Sequence, residues 1–429
     1  MSFRYKLIIV FASIAISLYA LIGGSWAKNF VQSISAQQTV NDAGSQMRIF
    51  ESVLQHIQND YVDEPNMEKV RGGALRGLAY GLDPYSSYLT ADQVKDFQAQ
   101  KTSTKVGIGA ELSQVSSYLY VIATVKGSPA DTAGLKSGDV IEYIENKATR
   151  DISLYDGRQL LSGDAGTKVK LRVLRSGAKP QTIEVTRGTF KTPNAESRIE
   201  AGKIGVIKVF SLDEGEANDI RTRVQDLTKQ GVAKIILDLR GVAGGNLNEA
   251  VSVANAFIKD GTIAQVLGRE NKVVKTFSAD ASKLIFDGKL VTLIDLGTSG
   301  AAEVVAAAML DRTRGDVVGV SSFGAGTEQQ LFTLRGGDGL LLTTSKWASA
   351  NGTAFLGEDP KKSGVKPSIE VKRAESIEPI DPEDLVNQNE NQPNEAPKVE
   401  APKPPVEDLQ FKKALELLSD KAMTKTTGE

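Results

Sequence analysis

The chain contains few of the side chains from which catalytic sites are usually built. It has no cysteine and a single histidine, His56. Thiolate nucleophiles, disulfides and cysteine-ligated zinc are therefore excluded, and a Ser-His-Asp triad would depend on His56 alone. His56 lies among apolar residues whose helical spacing predicts an amphipathic helix with a buried face: Phe50, Val53, Leu54 and Ile57. We interpret His56 as a structural or surface residue.

Two glycine-rich segments, 237–247 and 296–303, follow apolar runs and could host chemistry. The glycines of the first segment do not have the spacing of a dinucleotide-binding loop, and the second segment lacks the Lys-Ser/Thr of a phosphate loop. The acids of this region are scattered and have no histidine beside them to complete a metal site: Asp295, Glu303 and Asp311. We expect no cofactor and no metal.

The size and charge of the chain bound its class. At 429 residues and 41% hydrophobic composition, the chain is long enough for two or three domains with a large core. It has 51 basic and 53 acidic residues, a formal charge of −2, and so no basic surface of the kind that attracts nucleic acid. Nucleic acid is not an expected partner.

The N-terminus has the pattern of an export signal. Arg4 and Lys6 precede an apolar run over residues 7–22, and Ser-Trp-Ala at 25–27 fits a cleavage site. Residues 1–27 are therefore expected to be a signal sequence or a membrane anchor. The protein would then lie in the cell envelope, either anchored in the inner membrane and facing the periplasm or released to the periplasm after cleavage.

The pattern of the remaining chain predicts an α+β multidomain protein. Helical spacing gives way to short β-rich runs, then to alternating strands and helices, then to a segment rich in proline and charge that cannot bury enough surface to order itself. The expected parts are a helical region at 44–102, a compact β-rich module at 103–188, an α/β core at 189–376, a disordered linker at 377–407 and a terminal helix at 408–421.

The β-rich module carries two glycine motifs, Val-Gly-Ile-Gly-Ala at 106–110 and a block from Gly-Ser-Pro-Ala to Gly-Asp-Val-Ile at 127–141. At this distance the two motifs closely resemble a PDZ domain. Consecutive backbone N–H groups freed by the glycines can hold the carboxylate of a chain end, while the incoming peptide extends the sheet. The expected peptide-binding residues are Val106, Gly107, Ile108, Gly109, Ala110 and Arg158. Arg158 would meet an acidic or polar ligand side chain; the alternative is a structural or autoinhibitory module without a free ligand.

The α/β segments resemble the carboxyl-terminal processing peptidases, a family of Ser/Lys peptidases with an inserted PDZ domain, from about Met47 to Pro367. The resemblance rests on Leu-Asp-Leu-Arg-Gly at 237–241, Gly-Thr-Ser-Gly-Ala-Ala-Glu at 297–303 and Phe-Gly-Ala-Gly-Thr-Glu-Gln at 323–329. The resemblance implies a ClpP/crotonase-like core. In this peptidase family a serine attacks the peptide carbonyl after a neutral lysine takes its proton.

The resemblance also implies where the catalytic residues would stand. The family serine falls on Gly300, the family lysine on Ala325 and the assisting glutamine on Gln329. Gly244 and the amide of Ala301 are the expected remnants of the oxyanion site. The chain departs from the family at other positions too, among them Tyr85, where histidine is common, which indicates natural drift.

Ser299 is the one substitute nucleophile that the turn offers, with Lys346 as the nearest candidate base. We favour a turn or helix-cap role for Ser299 instead. The first expectation is therefore a pseudoprotease that binds protein C-terminal tails at the membrane, as an adaptor, decoy or regulator of an active homologous peptidase. The alternatives are an active serine-type endopeptidase of the cell envelope and a purely structural oligomer.

Overall fold

A computed structural model describes the chain over four ranges: residues 43–99, 106–357, 362–372 and 407–419. The expected export segment and almost all of the expected linker lie outside these ranges. Within them, none of the helices has the length and apolar character that a membrane crossing requires. The chain divides into two compact units, residues 1–74 and residues 75–429.

The first unit contains helix α1, Ala43–Asp60, and the start of helix α2, Met67–Tyr80. The apolar side chains of α1 are exposed, with Met47 at 65% and Val53 at 51%. The expectation of a buried face on this helix is therefore wrong for the described residues. His56 is also exposed, and its Nδ1 lies 2.6 Å from Asp60 Oδ2, one helical turn further on.

The second unit begins with a short strand and a helix that precede the β-rich module. The elements up to residue 186 are β1 Ser87–Leu89, α3 Ala91–Ala99, β2 Ala110–Val115, β3 Tyr118–Thr124, α4 Pro129–Thr132, β4 Val140–Ile144, β5 Lys147–Ala148, a 3-10 turn at Thr149–Asp151, α5 Leu154–Leu161, β6 Lys168–Leu174 and β7 Gln181–Thr186. The module is one antiparallel sheet of order β2-β3-β4-β6-β7, with β5 paired to β4. Strand β2 is therefore an edge strand.

Strand β3 is buried on both faces. Leu119 and Val121 point into the core of the module, whereas Tyr118, Tyr120 and Ile122 pack against apolar residues of the α/β core. A strand covered on both sides reads as a continuous apolar run, since neither face needs polar side chains. The module is therefore seated on the α/β core through this strand.

The α/β core follows. Its elements are β8 Glu196–Glu200, β9 Ile204–Lys208, α6 Glu216–Lys229, β10 Lys234–Asp238, α7 Leu247–Asn255, β11 Thr262–Leu267, a 3-10 turn at Arg269–Asn271, β12 Val273–Ser278, a 3-10 turn at Ala281–Lys283, β13 Lys289–Ile294, α8 Ala301–Asp311, β14 Asp316–Gly319, β15 Thr327–Thr333, β16 Gly339–Ser349, β17 Ile369–Glu370 and α9 Leu409–Leu418.

Two sheets build this core. The first has the order β17-β14-β13-β10-β9-β8 and is parallel except for β8; the second has the order β1-β16-β11-β12, with β15 on β16, and is antiparallel. Ile235 and Leu237 of β10 face the cluster that includes α6, α7 and α8, whereas Ile236 faces α9 on the other side. This is the α+β architecture that the sequence predicts, with the glycine turns at the carboxyl ends of parallel strands β10 and β13.

Candidate functional site

Gly300 lies in the sharp turn between β13 and α8. Its φ of 63° and ψ of −115° are strained for any residue with a side chain, and strand-to-helix turns of this kind present the nucleophile in many hydrolases. A Cβ atom at position 300 would lie 3.0 Å from the carbonyl oxygen of Gly244. The turn thus keeps a shape suited to a nucleophile, although glycine supplies none.

Ala325 lies in the loop between β14 and β15 and is 7% exposed. Its backbone N–H donates to Glu303 Oε2 at 2.9 Å, and the N–H of Gly300 donates to the same oxygen at 2.8 Å. Because the two amides share one acceptor atom, positions 300 and 325 are neighbours in space. The structure brings together the two positions that the sequence pairs.

Glu303 is the centre of this arrangement and is fully buried. Its second oxygen, Oε1, accepts from the Ser322 hydroxyl and from the Gly324 N–H. Burial raises the pKa of Glu303 to about 7, against the opposing effect of its four hydrogen bonds. As a charged group, Glu303 was expected to be one of several scattered acids; its place three residues after Gly300, at the start of helix α8, is the sequence signal that locates it beside the turn.

The expected oxyanion residues are bonded to each other. The Ala301 N–H donates to the Gly244 carbonyl at 2.9 Å, so Gly244 contributes an acceptor here and the Ala301 amide is occupied. Next to it, Gly245 has a φ of 90°, and a Cβ there would lie 2.9 Å from the Leu212 carbonyl oxygen. An oxyanion site needs donors aimed at open space. In this conformation the Ala301 amide is bonded to the Gly244 carbonyl and so is not aimed at open space.

Ser299 is 1% exposed, and its backbone N–H donates to the Val242 carbonyl at 2.9 Å. Across the described part of the chain, no lysine or histidine is hydrogen-bonded to Ser299. Lys346 lies on β16 opposite Thr327 of β15. The geometry therefore offers no activating base beside the Ser299 hydroxyl.

Gln329 is engaged within its own sheet. Its Nε2 donates to Thr327 Oγ1 at 2.7 Å and to Thr343 Oγ1 at 3.2 Å, and Thr343 in turn donates to Asp83 at 3.0 Å. Asp83 belongs to the turn that precedes β1 and accepts from the amide of Tyr85 at 2.8 Å. This chain of bonds anchors the 83–86 turn beside the site.

The Tyr85 phenol is buried between the PDZ-like module and Glu303. Burial raises the pKa of Tyr85 to about 12; nearby Ser113 lowers it, and the charges of Glu111 and Glu303 raise it further. The Tyr85 hydroxyl makes no hydrogen bond of standard geometry to any described residue. Tyr85 thus fills the space between the edge strand of the module and the Gly300 turn.

In the glycine loop of the module, residues 106–110, backbone carbonyls accept hydrogen bonds from other parts of the module. Three of its backbone amides have no acceptor among the described residues. The Ile108 carbonyl accepts from Ala130 at 2.8 Å, and the Gly109 carbonyl accepts from Val125 at 2.9 Å. The amides of Gly107, Ile108 and Gly109 donate to none of the residues in the described ranges. Consecutive N–H groups of this kind can form an anion-binding concavity.

Two glycines of this loop have different roles. Gly109 has a φ of 75°, and a Cβ there would lie 2.3 Å from Ser128, so the fold itself requires glycine. A Cβ on Gly107 would meet nothing within 4 Å. Val106, which exchanges backbone hydrogen bonds with Gly163, anchors the start of the loop, and Ala110 begins the edge strand β2.

Arg158 of α5 spans the groove beside β2. Its guanidinium donates to Glu111 Oε1 at 2.6 Å and to the Leu112 carbonyl at 3.2 Å. Glu111 also borders the core, since a Cβ on Gly244 would lie 3.5 Å from Glu111 Oε2. The peptide groove and the glycine turn of the core are therefore adjacent, and the arginine expected to meet a ligand is paired within the protein.

Comparison with known proteins agrees with both modules. Residues 203–371 match the model of peptidase family S41, and residues 120–175 match a PDZ domain. A solved structure described as "photosystem II D1 C-terminal processing protease" has the same fold, with a TM-score of 0.64 and 24% identity over 75% of this chain and 86% of that chain.

Two curated bacterial proteins are similar over most of their length. The "carboxy-terminal processing protease CtpA" of Bacillus subtilis (strain 168) is 29% identical over 86% of this chain and 77% of its own. The "carboxy-terminal-processing protease" of Bartonella bacilliformis is 30% identical over 80% of this chain and 78% of its own. With a PDZ domain set against an S41 core, this chain belongs to the carboxy-terminal processing protease family.

Proposed function

We propose that the protein binds the C-terminal tails of other polypeptides through its PDZ domain and does not cleave them. The observation that carries the proposal is the pair Gly300 and Ala325, whose amides meet on Glu303. Glycine has no group to attack a carbonyl and alanine has none to accept a proton. In a related serine hydrolase, loss of the nucleophile costs on the order of 10⁶ in turnover.

The state of the PDZ loop supports tail binding. The free amides of Gly107, Ile108 and Gly109 suit a terminal carboxylate, and the edge strand β2 can pair with an extended peptide. Occupation of the Ala301 amide by Gly244 supports the absence of cleavage, because a tetrahedral intermediate would find no donor there.

The proposed setting is the cell envelope. Arg4, Lys6 and the apolar run at 7–22 support export, with the segment either cleaved or retained as an anchor in the inner membrane. In this setting a tail-binding protein without peptidase activity would act as an adaptor, or as a regulator of an active homologous peptidase. Fractionation of cells into membrane and periplasm, with the full chain detected in each, tests this setting.

A second candidate, an active envelope endopeptidase, is favoured by the protease activity for which the relatives are named and by the backbone of the Gly300 turn. The turn keeps the strained conformation of a nucleophile turn, and Gln329 is retained. This candidate needs a nucleophile and base that the site does not present. It predicts cleavage by the unmodified chain.

The binding experiment uses a fluorescent peptide with a nonpolar last residue and a free carboxylate. We expect saturable binding, and loss of binding when the same peptide carries a C-terminal amide. Gly107→Asp places a carboxylate in the loop and should weaken binding about tenfold or more by charge repulsion. Gly107→Asn, of nearly equal size, is the matched neutral control, since position 107 has room for a side chain.

Mass spectrometry of the same peptide after prolonged incubation tests cleavage. We expect an intact peptide with the unmodified protein, and cleavage only after Gly300→Ser is combined with Ala325→Lys. Turnover of the peptide by the unmodified chain at ordinary peptidase rates would favour the second candidate. Equal binding of the free and amidated peptides would remove the proposed role of the PDZ loop.

A further inference from the structure

The C-terminal helix α9 is part of the core. Ala414 and Leu418 are 0% and 2% exposed, and they cover the face of the six-stranded sheet that α6, α7 and α8 leave open. Ile236 and Leu293 of the central strands lie beneath them. Buried apolar contacts of this kind hold the helix on the sheet.

The start of this helix also contacts one arginine. Arg240 Nη1 lies 2.9 Å from Asp408 Oδ1 and 3.2 Å from Gln410 Oε1. Asp408 caps the helix by accepting from the Phe411 amide at 3.0 Å, and Gln410 donates to the Val371 carbonyl at 2.8 Å. Specific hydrogen bonds thus join the first turn of the helix to Arg240.

Arg240 is buried and has a second acidic partner, Asp238, which is more deeply buried than Asp408. It donates to both oxygens of Asp238, at 2.9 and 2.7 Å, and Lys208 donates to the Arg240 carbonyl. Burial alone would raise the pKa of Asp238, but the hydrogen bonds from Arg240 and the charge of Lys208 outweigh it and bring this pKa to about 2. Removing one partner from a buried ionic cluster is strongly destabilising, because a charge is left uncompensated.

Arg240 is also the residue from which the glycine turn starts. The next amide, that of Gly241, donates to Asp295 Oδ1 at 2.9 Å. Three residues further on, the Gly244 carbonyl occupies the Ala301 amide. The turn therefore starts next to Arg240, in the polar cluster under the C-terminal helix. It also includes Gly244, whose carbonyl accepts from the Ala301 amide.

We propose that the C-terminal helix is a strap whose docking on Arg240 fixes the turn at 241–245 and so keeps the Ala301 amide closed. Glycines 241, 244 and 245 all have positive φ, so the restraint within the turn comes mainly from Val242, which is buried and accepts from the Ser299 amide. The bonds of Arg240 add an anchor at the start of the turn. This coupling goes beyond tail binding and holds whether or not the protein cleaves its ligand.

The test is amide hydrogen exchange on the full chain. In Asp408→Ala combined with Gln410→Ala, we expect exchange in peptides covering 240–246 and 299–303 to become about tenfold faster or more. Exchange in β6 and β7 of the PDZ domain should not change. Lys412→Ala is the matched control, because Lys412 lies on the same helix and its ammonium group pairs with exposed Glu407 rather than with Arg240.

Ala414→Asp provides a second, independent way of releasing the helix, since it places a charge on a fully buried face. Faster exchange in both the helix and the turn supports the strap. A released helix with an unchanged turn overturns it, as does an unchanged turn in the double variant. If Ala414→Asp accelerates exchange throughout the core, the double variant Asp408→Ala with Gln410→Ala decides: no local effect at 240–246 overturns the proposal.

Discussion

Arg158 donates a hydrogen bond to Glu111 across the groove between helix α5 and the edge strand β2, at 2.6 Å. The same guanidinium holds the Leu112 carbonyl, a backbone acceptor on the strand to which a bound peptide would be added. An acidic ligand of Arg158 would therefore have to compete with an interaction inside the protein.

Glu111→Gln is expected to shift ligand preference toward acidic tails. The change removes the internal partner of Arg158, so that a ligand carboxylate no longer competes with Glu111 for the guanidinium. Both side chains are partly exposed, so the pair is worth up to about 1 kcal/mol, or roughly fivefold in affinity. The measurement compares two peptides that differ by Asp against Asn at one position. An unchanged ratio of their affinities would contradict a ligand role for Arg158.

Glu303 is expected to make stability fall as pH rises toward neutral. Its pKa is raised from 4.5 to about 7, so between these values the folded protein holds a proton that the unfolded chain has released. The stabilisation is complete below about pH 4.5 and is lost as pH rises through 7, by roughly 3 kcal/mol. Chemical denaturation from pH 4.5 to 8 measures it.

Glu303→Gln removes this contribution to the pH dependence. At the low end of the range the variant should be less stable than the parent by about 1–3 kcal/mol. An amide has one acceptor oxygen, so its NH2 group must face one of the two pairs of donors that surround Glu303. The difference between the two proteins should shrink as pH rises. Glu249→Gln, at a half-buried carboxylate that accepts from the Ala217 amide, is the control. A constant difference across the range would rule out a raised pKa at Glu303.

Gly300→Ala is expected to destabilise the protein by about 1–3 kcal/mol, because a side chain at this φ is strained and its Cβ lies 3.0 Å from the Gly244 carbonyl. Gly336→Ala is the matched control: its φ is 88°, and its Cβ would meet nothing within 4 Å. Urea denaturation gives the loss in free energy of unfolding for each variant. The amount by which the loss at position 300 exceeds that at position 336 measures the contact with Gly244. Equal costs at the two positions would mean that the Gly244 carbonyl does not restrict the turn.

Phe323→Ala is expected to weaken the packing of the PDZ domain against the α/β core. The Phe323 ring stacks on Tyr120 of β3, with centroids 5.6 Å apart, and Phe323 is half-buried. Loss of this contact should cost about 1–3 kcal/mol and speed hydrogen exchange in β3. Phe332→Ala, at a ring that is 40% exposed on β15, should cost less. A smaller loss at position 323 than at position 332 would argue against this stacking as a main contact.

Much of the fold follows from local pattern. The alternation of apolar runs and amphipathic segments after residue 203 predicts strands and helices because burial on a sheet imposes these periods. The glycine motif at 106–110 predicts a tight backbone turn, because a φ of 75° favours glycine at position 109. The apolar stripe of α1 was misjudged, because spacing predicts that a face is apolar and not what covers it.

The sequence by itself determined that glycine and alanine stand at 300 and 325, and neither side chain can serve as a nucleophile or a base. The tertiary structure alone decided what occupies their place. Glu303 bridges the two amides, Arg158 turns inward to Glu111, and Asp408 at the start of helix α9 reaches Arg240. Each of these bonds joins groups whose distance and burial depend on packing, which no local pattern encodes.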